Sequence, residues 1–192
     1  MLEGMGQPAT SVSYAEYLAI ERASETKHEY VNGQVYAMAG GTPEHARLAL
    51  SFGAELRAAL RARPCVVFSS DARIRIRATG RSTYPDLSVV CGRRESAPDD
   101  ADAITNPVVL VEVLSDSTEL SDRGDKWRHY QQLPSLMEYV LVSQHEPRIE
   151  LFRRDGSHWQ YETVGPGGTL VLASLDARLS VDDIYRDPLA PS

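Results

Sequence analysis

Apolar positions along this chain change their spacing several times, and each change marks an element. Ser13 stands just before Tyr17, Leu18 and Ile20, with Glu16 three residues on; the pattern predicts a short helix opened by a capping box. Asn32-Gly33 divides two β-rich runs within HEYVNGQVYAMA, and because both turn positions need positive φ the pair predicts a hairpin. Thr42 followed by Pro43 signals a helix start. Leu48, Phe52, Leu56 and Leu60 then form one face of that helix, which ends before Pro64. From Cys65 the chain turns to strands. CVVF is short and apolar, while DARIRIR alternates, with Ala72, Ile74 and Ile76 on one face and Asp71, Arg73, Arg75 and Arg77 on the other. Gly80 to Ser82 reads as a turn into YPDLSVVCG, Tyr84 to Gly92, and PVVLVEVLS follows from Pro107 to Ser115. Runs this dense in Val and Leu are normally buried on both faces. Residues 92–106 between them are expected to be a polar loop. A helix from about Thr118 to Leu133 leads to another strand, MEYVLVSQ, and strand, helix, strand in that order implies a right-handed parallel crossover. RIELFRR, HWQYETV and TLVLASL are expected to form β-hairpins that extend the sheet. The fold class is therefore α/β (α+β): one mixed sheet flanked by helices, in a single domain over residues 13–187 between tails at 1–12 and 188–192.

Composition narrows the class without choosing a function. The chain has 192 residues, 42% hydrophobic and 24% charged, as a soluble globular domain has. No apolar run reaches membrane-spanning length and the N-terminus has no basic-then-apolar leader, so a cytoplasmic protein is expected. In a reducing compartment Cys65 and Cys91 read as small buried thiols, not as a disulfide. The net charge of −7 argues against a surface that coats nucleic acid, while leaving room for a local basic groove. Of the 20 Lys and Arg residues only Lys27 and Lys126 are lysine, so each lysine raises the question of what arginine would not do there.

Two carboxylates stand where the pattern calls for apolar side chains. Asp86 opens its strand, and Glu112 sits between Val111 and Val113. A buried carboxylate is costly unless its charge is compensated. Two that converge repel, so that one takes a proton or a cation sits between them. A hard divalent cation suits such a pair, because Mg²⁺ takes one or two carboxylates plus substrate phosphate and waters. In the helix that follows, Glu119, Asp122, Lys126, Tyr130 and Leu133 recur every three or four residues on one face. A crossover helix packs back on its sheet, and that face is able to return Lys126 to Glu112. The same spacing also allows a plain surface ion pair between Lys126 and Asp122.

The Pro85-Asp86 pair followed by Glu112-Val113-Leu114 resembles the PD-(D/E)xK nuclease superfamily, and more closely its Uma2-like branch. The ordered set HEYVNGQVYAMAG, the His45 helix, SSDARIRI, YPDLSVVCG, PVVLVEVLSDST and DRGDKWRHY carries the resemblance over nearly the whole chain. It implies a restriction-endonuclease-like fold and metal-dependent hydrolysis of nucleic-acid phosphodiesters, with DNA as the first expectation. Asp86 and Glu112 would hold Mg²⁺ or Mn²⁺ with the Val113 carbonyl, and Lys126 would position water or stabilise the transition state. The sequence departs from the pattern at Leu114, where the superfamily has its lysine; Lys126 looks like the replacement. His45 becomes a supporting or substrate-side candidate, as do Asp122 and Tyr130. Glu29 is either a third acidic group near the metal or an exposed strand residue. Asp71 with Arg73 and Arg75 forms either a solvated face or a phosphate-contacting strip. The C-terminal hairpins offer an edge for a homodimer. Two other classes fit less of the sequence: a non-catalytic binding module retaining the fold, and a hydrolase using two carboxylates as acid and base, as glycosidases do.

Overall fold

The computed structural model describes residues 11–38 and 40–189; most of both expected tails, and Ala39, lie outside the described residues. Helix α1, Tyr14–Ala23, begins as its capping box requires: the Ser13 hydroxyl accepts from the Glu16 amide, and the Ser13 amide donates to the Glu16 carboxylate at 2.7 Å. Strands β1, His28–Val31, and β2, Gln34–Ala37, form the hairpin around Asn32 and Gly33, whose φ values are 47° and 90°. Helix α2, Pro43–Ala59, is capped by Thr42, and its Leu48, Phe52 and Leu56 are fully buried.

The chain then lays down β3 (Cys65–Ser69), β4 (Ile74–Ile76), β5 (Arg81–Thr83), β6 (Leu87–Cys91), β7 (Ser96–Ala97), β8 (Asp100–Ile104) and β9 (Val109–Val113). A helical segment follows, built from α3 (Glu119–Ser121), a π turn (Asp122–Lys126) and α4 (Trp127–Tyr130). Strands β10 (Glu138–Val142), β11 (Ile149–Asp155), β12 (His158–Val164), β13 (Thr169–Leu172) and β14 (Ala177–Ser180) and helix α5 (Val181–Tyr185) complete the order.

One six-stranded sheet runs β12-β11-β10-β9-β6-β3. Within it β9 and β10 pair parallel across the helical segment, as the crossover pattern implies, and every residue of both strands is buried. Each face carries its own core. Val111, Val113, Val140 and Val142 pack with Leu48, Phe52 and Leu56, while Leu110, Leu114, Tyr139 and Leu141 pack with Tyr130 and Leu133. Glu112 alternates onto this second face.

The fold class stands, with five differences from the sequence reading, the first being that Arg81 and Ser82, expected in a turn with Gly80, belong to strand β5. The structure has a second six-stranded sheet, β2-β1-β5-β4-β8-β7, and residues 92–106 contribute β7 and β8 to it in place of a loop. Asp-rich DADAI looks unlike a strand, yet Ala103 and Ile104 are buried and Ile104 pairs parallel with Ile74. The β11–β12 hairpin extends the first sheet as expected, but β13 and β14 pair only with each other. The expected Thr118–Leu133 helix widens into the π turn at its centre. Finally, Cys65 and Cys91 form a disulfide. They are register partners on β3 and β6, and the Gly92 amide donates to the Pro64 carbonyl at the next pair, leaving the cysteines at a non-hydrogen-bonded site where facing side chains are closest. Among the described residues no helix is long and apolar enough to cross a membrane.

Candidate active site: facing carboxylates and a buried lysine

Strands β6 and β9 are antiparallel with Leu87 opposite Val111. Continuing that register by one residue sets Asp86 opposite Glu112. Both line one cavity of about 520 Å³, together with Glu29, His45, Lys126 and Ser115.

Glu112 is 3% exposed and Lys126 7%. The Lys126 Nζ lies 2.9 Å from Asp122 Oδ1, 3.2 Å from Glu112 Oε1 and 3.7 Å from Glu29 Oε1. The Tyr130 hydroxyl donates to the same Glu112 Oε1 at 2.7 Å, and the Tyr139 hydroxyl donates to the Asp122 carbonyl at 3.1 Å. Asp122, Lys126 and Tyr130 thus return to the sheet. Glu119, by contrast, turns to Arg123, whose guanidinium also grips Glu150 at 2.6 and 2.7 Å and ties the segment to β11. The π turn spans Asp122–Lys126, and such widened turns are frequent where a helix presents functional groups.

Burial sets the electrostatics. It pushes the Glu112 carboxyl up to about 8, helped by Asp122 and Asp86 and opposed by Lys126 and the Tyr130 hydrogen bond. Burial alone would lower the Lys126 ammonium, but Glu112, Glu29 and Asp122 outweigh it and hold the lysine charged. Burial also disfavours the Glu29 charge, yet Lys126, Arg81 and the Thr83 hydroxyl keep its carboxyl below the usual range.

On the opposite strand the Val113 amide donates to Asp86 Oδ2 at 2.7 Å, and His45 Nε2, from the first turn of α2, sits 3.1 Å from the same oxygen. Asp86 therefore raises the His45 pKa against the lowering effect of burial, with a smaller contribution from a hydrogen bond to Val113. Gly41 leaves room for this imidazole; a Cβ there would lie 2.8 Å from His45 Nδ1.

The donor set suits a hard cation. Asp86 Oδ2 and Glu112 Oε1 are engaged, whereas Asp86 Oδ1 and Glu112 Oε2 accept no hydrogen bond among the described residues. Among those residues no three His, Cys, Asp or Glu side chains cluster as metal ligands. Two carboxylates with waters and substrate oxygens are what Mg²⁺ ordinarily takes.

Several expected residues lie elsewhere. Asp71 is exposed and ion-paired with Lys27. Arg73 and Arg75 do not form a phosphate-contacting strip. The Arg73 guanidinium holds the buried Asp100 through Nε at 2.8 Å and Nη2 at 3.0 Å, and donates to the Tyr84 hydroxyl at 2.7 Å. Arg75 lies over the Tyr14 ring, 3.6 Å from its centre. Alternation revealed that two faces differ; the covering of the polar face by α1 and β8 comes from elsewhere in the chain. Arg73→Ala is accordingly expected to cost about 3–5 kcal/mol by stranding the Asp100 charge, and to leave the salt dependence of nucleic-acid binding unchanged. Urea unfolding and a salt titration check both.

Arg81 has no sequence signal marking it, yet it is 2% exposed and bridges Glu29 at 2.8 Å and Asp125 at 2.6 Å. The Ser115–Thr118 turn, Gln144 and His145 also line the cavity unforeseen.

Comparison with known proteins follows the same outline. Residues 14–182 match the family model Uma2, described as "Putative restriction endonuclease". The uncharacterized protein slr1290 of Synechocystis sp. is 37% identical over 180 residues, covering 93% of this chain and 94% of its own length. A second uncharacterized Synechocystis protein, sll1609, is 32% identical over 142 residues, covering 74% and 80%. Among solved structures, a "putative nuclease belonging to DUF820" from Anabaena variabilis superposes with a TM-score of 0.69 at 17% identity, over 84% of this chain and 91% of that one.

Proposed function

The chain belongs to the Uma2 family, and from that premise we propose that it is a nuclease hydrolysing phosphodiester bonds with Mg²⁺ or Mn²⁺. The observation that carries the reading is the facing of Asp86 and Glu112 across β6 and β9 on one cavity, with the Lys126 ammonium beside them. Asp86 and Glu112 would hold the cation through the oxygens not already bonded, with the Val113 backbone beside Asp86. When bound, the cation polarises the phosphate and lowers the pKa of water. Glu112 would serve as a ligand in its ionised form, and the cation would compensate that buried charge. Lys126, fixed by Asp122 and Glu29, offers a compact donor to a phosphate oxygen or the attacking water. Tyr130 and Arg81 act through other groups: the first orients Glu112, the second orients Glu29. DNA is the substrate we take first, and the open edge of β12 supports the expected homodimer.

The test is cleavage of supercoiled plasmid and of single-stranded oligonucleotides with Mg²⁺ or Mn²⁺, stopped by a chelator. Absence of cleavage of both substrates with both metals would overturn the catalytic reading.

A further inference from the structure

A second, larger cavity of about 1250 Å³ runs between α2 and β3. Its walls include Ala49, Leu50 and Gly53 from α2 and, from β3, Cys65 and Val67, which face α2, an apolar floor that leaves Leu50 75% exposed. Charge is distributed unevenly around it. Lys27, Arg57, Arg61 and Arg63 line it, against only Glu25 and Asp86, in a chain whose net charge is −7. Lys27 is paired with Asp71 and Arg63 with Asp176. Arg57, in the last turn of α2, and Arg61, just past it, are exposed and have no carboxylate partner among the described residues. The groove is continuous with the carboxylate site, because Met38, Gly40, Gly41, His45 and Asp86 line both cavities.

We infer that this groove is the track for a single strand of nucleic acid, with Arg57 and Arg61 gripping its phosphates and the strand leading to Asp86. The inference rests on the nuclease reading and names its substrate: single-stranded nucleic acid, or a strand separated from its partner. An apolar floor with cations along the rim is the arrangement that takes bases on one side and backbone on the other. A duplex offers phosphates on both flanks but no base faces for Leu50 and Val67. The edge strand β3 forms one wall, so the strand lies along it.

The experiment reads binding with the full chain in a chelator, where no cleavage occurs, using a fluorescent oligonucleotide of about twelve nucleotides. Affinity is followed between about 50 and 200 mM salt. The double change Arg57→Ala, Arg61→Ala is expected to flatten the slope of log affinity against log salt by about 1.4, the value for the loss of two phosphate contacts on a single strand. Arg93→Ala with Arg94→Ala, two exposed arginines outside the groove, removes the same charge and is expected to leave the slope near wild type. An equal effect from both doubles, no binding by wild type, or duplex bound as tightly with the same groove dependence would each overturn the inference. The two readings separate cleanly. Metal-dependent cleavage with a slope untouched by the groove double rejects the track and keeps the nuclease, whereas groove-dependent binding without cleavage keeps the track and rejects the nuclease.

Discussion

Glu112→Gln and Asp86→Asn are each expected to abolish Mn²⁺ binding and phosphodiester cleavage without weakening the metal-free fold. Both replacements keep an acceptor where the structure uses one: for the Tyr130 hydroxyl at position 112 and for the Val113 amide at position 86. What they remove is charge, in a place where two carboxylates face each other. Stability against pH separates this from a structural ion pair. Glu112 is pushed up to about 8 in the folded protein, while an unfolded glutamate titrates near about 4.3. Between these values the folded chain keeps a proton that the unfolded chain releases. Stability therefore falls as pH rises through the window, and the full loss persists above about 8, the raised value. His45, also raised, contributes a fall of the same sign, so the difference between wild type and Glu112→Gln isolates the Glu112 share. Urea unfolding across this range is expected to show a shallower decline for the glutamine variant, and Mn²⁺ is expected to stabilise wild type most where Glu112 has ionised. Unchanged Mn²⁺ affinity in both variants would reject the metal site. A Glu112→Gln protein markedly less stable at high pH would make the carboxylate a structural partner of Lys126.

Lys126→Arg is expected to keep Mn²⁺ binding and lose cleavage by about a hundredfold or more, the size of one transition-state donor. The chain writes its other cations as arginine apart from Lys27, so the exception carries information. Arginine retains the charge but is a planar fork, and Lys126 occupies a pocket bounded by Glu112, Asp122 and Glu29 with 7% of its surface exposed. The extra bulk is expected to cost about 1–3 kcal/mol of stability, so cleavage is compared at equal folded concentration. Lys126→Met removes the charge that compensates the Asp122 and Glu29 carboxylates, a loss of about 3–5 kcal/mol. Mn²⁺ is expected to recover more stability in this variant than in wild type, because it restores positive charge among the same oxygens. Lys27→Arg is expected to be silent, since Lys27 pairs with exposed Asp71. Near-wild-type cleavage by Lys126→Arg would reduce the lysine to a generic counter-charge.

What the chain determined on its own is what short segments decide. The Ser13–Glu16 box, the Asn32-Gly33 turn and the α2 face of Leu48, Phe52 and Leu56 depend on neighbours within four residues, and all formed as read. Asp86, Glu112 and Lys126 were legible as exceptions: two acids in apolar strands and a lysine among arginines. Long-range contacts decided the rest. Arg73 meets Asp100 across 27 residues, and Asp100 meets Tyr14 across 86. The pattern of one strand records that its two faces differ, not what will cover each. The Cys65–Cys91 link needed the register of β3 on β6, and Arg81 at Glu29 needed β1 beside β5. The convergence of the carboxylates was undecided in the same way. Each acid was visible, but their meeting depends on β6 and β9 being neighbours at the register that sets Leu87 against Val111. A slip of one residue would have turned Asp86 to the other face.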